Sequence, residues 1–121
     1  MAQNETKKPI SISLEENLKK ALTELLILYL LSEREYYIGE LTATLHERSG
    51  GVLTIVFPYS AVYRLQQSGH IVESEKRNAP DGRRRQYLSI TEHGHIYLSQ
   101  LLEVYRTFSK GIDAILREGE N

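Results

Sequence analysis

Between Lys76 and Ile90 lie five cationic side chains, Lys76, Arg77, Arg83, Arg84 and Arg85, against a single acid, Asp81. Guanidinium and ammonium groups this close together suit charge-assisted hydrogen bonding to phosphate oxygens. Just upstream, Tyr59, Ser60, Tyr63, Arg64, Gln66 and Gln67 fall within one short stretch. All of these can donate to phosphate oxygens or hydrogen-bond the edges of bases. The plainer reading of the cationic segment is a hairpin tip that simply faces water.

Other chemistries fit less well. His93 and His95 alternate, but residues two apart on a helix face different ways, and no cysteine or nearby acid is arranged to complete a site, so no metal is expected. The chain has no Gly-rich phosphate loop, no nucleophile elbow and no HExxH pattern. Neither catalysis nor a cofactor is expected.

The 121 residues hold 15 Lys and Arg and 16 Asp and Glu, for a formal charge of −1. A nucleic-acid binder is ordinarily basic overall, so the bulk balance argues against DNA. Resolved by segment the picture reverses: residues 76–90 carry +4, and the other 106 residues together carry −5. The length fits one domain. With 40% hydrophobic and 26% charged residues the composition is that of an ordinary globular chain. The absence of cysteine excludes a disulfide framework. The longest apolar run, Leu25 to Leu31, has 7 residues, whereas a membrane span needs about 18 to 20. The opening MAQNETKKP has no apolar h-region. A cytoplasmic protein without a membrane partner is expected.

Those groups must be positioned by a small set of elements. Ser13 with Glu16 has the capping-box form, and Leu14, Leu18, Ala21, Leu22, Leu25, Leu26 and Tyr29 follow at helical spacing, which predicts a helix over 14–33. Its end, LLILYLL, is apolar all round, so it must be buried or shared with a partner. Ile38, Leu41 and Leu45 predict a second helix stopped by Gly50-Gly51. Val52 to Phe57 reads as a strand or an extended lead-in. Pro58 suits the first position of a third helix over 58–68, with Ala61, Val62 and Leu65 inward and Gly69 ending it. Two extended runs, His70 to Glu75 and Arg85 to Ile90, flank Pro80-Asp81-Gly82, a turn signal. Thr91 is placed to cap a last helix running to about 118. On it Leu98, Tyr105 and Ile112 repeat every seven residues, as do Leu101, Phe108 and Ile115, with Leu102 and Leu116 widening the stripe.

The expected fold is therefore mainly α with a small β-hairpin: a winged helix-turn-helix over 13–90, preceded by a flexible tail at 1–12 and followed by a long C-terminal dimerisation helix at 91–118. In such a module the third helix enters the major groove while the wing touches the backbone or minor groove. Leu22 to Leu31 (LTELLILYLL), then Tyr59, Arg64-Leu65 and Gly69 in YSAVYRLQQSGHI, then Arg85, Tyr87, Thr91, Glu92 and Gly94 in RRRQYLSITEHG, together resemble the PadR family of bacterial transcriptional regulators. The resemblance covers residues 20–100. It implies a winged-helix homodimer on double-stranded operator DNA, usually a repressor, joined through the C-terminal helix. It also implies that Tyr59, Arg83, Arg84 and Arg85 face DNA. The single C-terminal helix resembles the short branch of the family. The sequence departs from the family at Ile38-Gly39, where a Gly-Tyr pair is common, and at Gln86, Leu88 and Ser89.

The full set of expected DNA contacts is Tyr59, Ser60, Tyr63, Arg64, Lys76, Arg77, Arg83, Arg84 and Arg85. The expected dimer seam is Leu98, Leu101, Leu102, Tyr105, Phe108, Ile112, Ile115 and Leu116. Tyr36, Tyr37, Tyr97 and Tyr105 would suit a small aromatic effector at the dimer junction; the plainer reading makes Tyr105 a seam residue and Tyr37 a core one. The rival from another class is a winged-helix protein-interaction module without DNA binding, which the acidic body favours.

Overall fold

The computed structural model describes residues 10–55 and 58–120, and the elements follow one another as helix, helix, helix, strand, strand, helix. Helix α1 spans Ile10–Glu33. It starts before the capping-box residue Ser13, which lies inside the helix. Residues 10–12 of the expected tail are thus helical, and residues 1–9 lie outside the described residues. The apolar C-terminal end of α1 is the centre of the molecule: Ile27 and Leu28 are fully buried, and Leu30 and Leu31 nearly so. Burying such a side chain contributes about 1.5–3 kcal/mol, so this segment anchors the fold.

Helix α2, Ile38–Arg48, begins without a side-chain cap, its N-terminus preceded by an extended Tyr37. It buries Leu41 and Leu45 against α1 and closes at Gly50-Gly51 as the sequence predicts, the Gly51 N–H donating to His46 O at 2.8 Å. No strand is formed over 52–55, and Val56 and Phe57 lie outside the described residues. Helix α3 spans Tyr59–Gln67, with Pro58 one position earlier than expected, as the N-cap residue. Ala61, Val62 and Leu65 face the core. Gly69 turns the chain out of α3 at φ +78°, a conformation that favours glycine, and lets the His70 N–H reach Leu65 O at 2.9 Å.

Strands β1, Ile71–Asn78, and β2, Arg84–Ile90, form an antiparallel hairpin. The first arm runs three residues beyond the expected Glu75, so Lys76 and Arg77 sit on the strand rather than in the turn. Between Glu73↔Leu88 and Lys76↔Gln86 the register shifts, Ser74 and Glu75 standing opposite Tyr87 alone. This bulge accompanies burial of both Tyr87 and Leu88, neighbours on the strand. Leu88 points into the core and is pinned by its N–H donating to Tyr36 O at 2.9 Å, a bridge that ties the base of the wing to the α1–α2 connection.

Helix α4, Glu92–Glu120, is 29 residues long, about 43 Å at 1.5 Å per residue. Thr91 caps it: its hydroxyl accepts from the Gly94 N–H at 3.0 Å and donates to Gly69 O at 2.6 Å. Gly94 permits that junction, since a Cβ there would lie 2.1 Å from His70 O and 2.6 Å from Ile90 Cγ1. The glycine of the TEHG segment is thus required by close approach of α4 to the α3–β1 turn.

Candidate nucleic-acid interface

Three apolar residues fix the orientation of α3, and what they leave outward is polar. Tyr59 and Tyr63, one helical turn apart, are each 61% exposed. Ser60 and Gln67 are exposed as well. Arg64 is exposed but bound: its Nε donates to Glu24 Oε2 of α1 at 2.7 Å. A group expected to meet DNA thus also ties the third helix to the first.

The wing divides its cations into two sets. Arg77 and Arg85 stand directly opposite one another across the ladder, a like-charge pairing that is unfavourable unless compensated. Each has its own compensation. Arg77 donates to Glu35 at 2.9 Å and to Glu75 at 3.3 Å, with its guanidinium 3.7 Å over the Tyr87 ring. The Glu35 hydrogen bond is the main cause that raises the Arg77 pKa above its ordinary value. Arg85 donates to Asp81 Oδ2 at 2.8 Å and lies 5.0 Å from the centroid of Tyr37. Tyr37 and Tyr87 meet edge to face at 5.5 Å, closing an aromatic floor beneath both guanidinium groups.

The second set is Lys76, Arg83 and Arg84. All three are exposed, and among the described residues no acid pairs with their side chains. The tip is held by its backbone: Ala79 N–H donates to Arg83 O at 2.8 Å and Gly82 N–H to Ala79 O at 2.9 Å. Asp81 completes the turn, its Oδ1 accepting the Arg83 N–H at 3.0 Å. Its carboxyl is held below the ordinary aspartate range by the Arg85 hydrogen bond first and the Arg83 N–H second, so it is charged at neutral pH.

The expected seam on α4 also splits. Leu98, expected in the seam, is 6% exposed and belongs to the core of this chain. Leu101 and Leu102 are half-buried against the same core. From there outward Tyr105, Phe108, Ile112, Ile115 and Leu116 are all exposed, reaching 67% at Phe108 and 70% at Ile115. Leu14 and Leu18 on the first turns of α1 are exposed too.

The four tyrosines of the expected effector site do not converge. Tyr36 is buried in the core beside Leu88, Tyr37 packs under the wing, and Tyr97 stacks on His70 at 4.3 Å. Tyr97 and Tyr105 line a common groove between α1 and α4. Among the described residues no group of His, Cys, Asp and Glu is placed to hold a metal ion. The residues that sequence reasoning missed are the acids: Glu24, Glu35 and Asp81 decide which arginines are engaged. Only Asp81, within the basic segment itself, had a local signal.

The model of the transcriptional regulator PadR-like family matches residues 27–100 of the chain. Among solved structures, a PadR-like transcriptional regulator from Bacillus cereus is similar at 25% identity and a TM-score of 0.71, over 83% of this chain and 96% of the other. A Streptococcus transcriptional regulator is similar at 29% identity and a TM-score of 0.70, over 81% and 95%. A transcriptional regulator from Clostridium thermocellum is similar at 26% identity and a TM-score of 0.69, over 81% and 93%. No curated protein matches the sequence.

Proposed function

Because this chain belongs to the PadR-like family of transcriptional regulators, and so to regulators rather than enzymes, we propose that it is a homodimeric repressor of a pseudo-palindromic operator. One observation carries the reading: the outward face of α3 offers Tyr59, Ser60 and Tyr63, and the hairpin that follows presents Lys76, Arg83 and Arg84 without acids of their own. In this reading Ser60 and Tyr63 meet base edges in the major groove, and Tyr59 and the three free wing cations hold phosphates. Arg64 and Arg77 fix the recognition helix and the wing base through Glu24 and Glu35. Arg85 is paired with Asp81 at the tip of the wing itself.

Dimerisation is supported by the exposed stripe from Tyr105 to Leu116 on a helix that outruns the core, and by Leu14 and Leu18. Apolar residues repeated every seven positions and left in water favour a second helix of the same kind. Two copies related by a two-fold axis would set half-sites one helical turn, or a multiple of it, apart. A dimer seated on a promoter represses by occupying it. Operator binding is a cytoplasmic task, and no helix among the described residues is long and apolar enough to cross a membrane.

The wing assignment is tested by titrating duplex DNA with wild type and with Arg83→Ala/Arg84→Ala at several salt concentrations. For every phosphate that the variant no longer neutralises, the slope of log K against log salt should become shallower by about 0.9. An unchanged slope would remove the wing from the interface. Substitution of Ser60 or Tyr63 should instead change the preferred sequence.

A further inference from the structure

The tip of the wing carries an anion of its own, hydrogen-bonded to one of the wing arginines. Asp81 is one of the corner residues of the Pro80-Asp81-Gly82 turn, and the turn orients it: its Oδ1 accepts the Arg83 backbone N–H at 3.0 Å, which leaves Oδ2 to take the Arg85 Nη2 donor at 2.8 Å. The pair is accessible, the Arg85 and Asp81 side chains being 35% and 41% exposed. It is also incomplete. Arg85 Nε is buried without a hydrogen-bond partner, and the ring of Tyr37 lies 5.0 Å from the guanidinium. A carboxylate and a phosphodiester offer an arginine the same thing, negatively charged oxygens at hydrogen-bonding distance. Arg85 is therefore engaged by an internal competitor, whereas Arg83 and Arg84 beside it form no ion pair with an acid among the described residues, although the Asp81 charge also attracts that of Arg83.

We propose that Asp81 sets the protein's affinity for DNA backbone by competing with phosphate for Arg85. This rests on the DNA-binding reading above and adds a residue that opposes binding rather than supporting it. While the Asp81–Arg85 pair is closed, the wing meets a duplex with Lys76, Arg83 and Arg84 only. A phosphate reaches Arg85 by displacing Asp81, whose charge then stands next to the backbone. The result is a basic hairpin whose hold on arbitrary DNA is capped from within. Glu35 does not play this role, because it lies outside the hairpin on the α1–α2 connection and ties Arg77 to the base of the wing.

Asp81→Asn is the informative variant, because the amide oxygen still accepts the Arg83 N–H and keeps the turn while the competing charge is gone. With random-sequence duplex DNA at about 50 mM salt, its affinity should rise several-fold over wild type, and the slope of log K against log salt should steepen by about 0.9 per wing. Glu73→Gln removes the same charge from an exposed strand position without releasing an arginine and should do much less. In an Arg85→Ala background the effect of Asp81→Asn should shrink to that of Glu73→Gln. If Asp81→Asn acts equally with and without Arg85, or leaves wild-type binding and slope unchanged, Asp81 is not a competitor and this inference falls alone. If wild type itself shows no duplex binding at any salt concentration, the regulator reading falls and takes the inference with it.

Discussion

The two halves of α4 are one continuous helix with two different environments. Its first half, from the Thr91 cap to Leu102, packs onto the winged domain: Gly94 touches the α3–β1 turn, Leu98 is buried and Leu101 and Leu102 lean on the same core. Its second half keeps the seven-residue rhythm, yet Tyr105, Phe108, Ile112 and Ile115 are in water. The same periodic pattern thus serves the fold in one place and leaves a surface unpartnered in the other. Periodicity tells which face of a helix is apolar, while the length of the domain beside it decides how much of that face is covered.

Substitutions can break this comparison from either side. The largest effect is expected at Leu98, where Leu98→Ala should lower the unfolding free energy by about 2–5 kcal/mol, measured by denaturant titration. A drop below about 1 kcal/mol would mean that the first half of α4 is not part of the core. Gly94→Ala comes next, since its Cβ would meet the backbone oxygen of His70; overpacking of this kind costs about 1–3 kcal/mol, read in the same titration. On the other half, the pair Phe108→Glu and Ile112→Glu should leave the helical circular dichroism spectrum unchanged and convert a dimer into a monomer of 13.9 kDa by light scattering. A wild-type chain that already scatters as a monomer at micromolar concentration would sever the exposed half from any self-association. The smallest effect should come from Glu35→Gln, which loosens Arg77 at the base of the wing. Its ion pair is partly exposed, so the melting temperature should fall by less than for Gly94→Ala.

Much of the fold was legible in the sequence. The helices announced themselves through spacing, Thr91 through its place before an acidic first turn, and the hairpin through Pro80-Asp81-Gly82. Local signals misled at the ends of two elements. Ser13 looks like a cap, but α1 continues through it from Ile10. The first wing arm carries charged residues to its end and so reads as loop from Lys76 onward, while the ladder with β2 holds it as strand to Asn78. The ion pairs were beyond sequence reading for a plainer reason: Glu24 meets Arg64 across 40 residues and Glu35 meets Arg77 across 42, and no pattern in the chain marks distances of that kind. For the same reason the expected DNA-facing residues were visible only as donors, not as engaged or free.

The segment-by-segment charge, +4 on one hairpin and −5 elsewhere, now has a finer resolution, because Arg77 and Arg85 are already paired with acids while Lys76, Arg83 and Arg84 are not. Selection from random duplex DNA tests the central claim most directly. The predicted result is enrichment of one sequence with two inverted half-sites whose centres lie one helical turn, or a multiple of it, apart. Recovery of unenriched DNA, bound only at low salt, would contradict it.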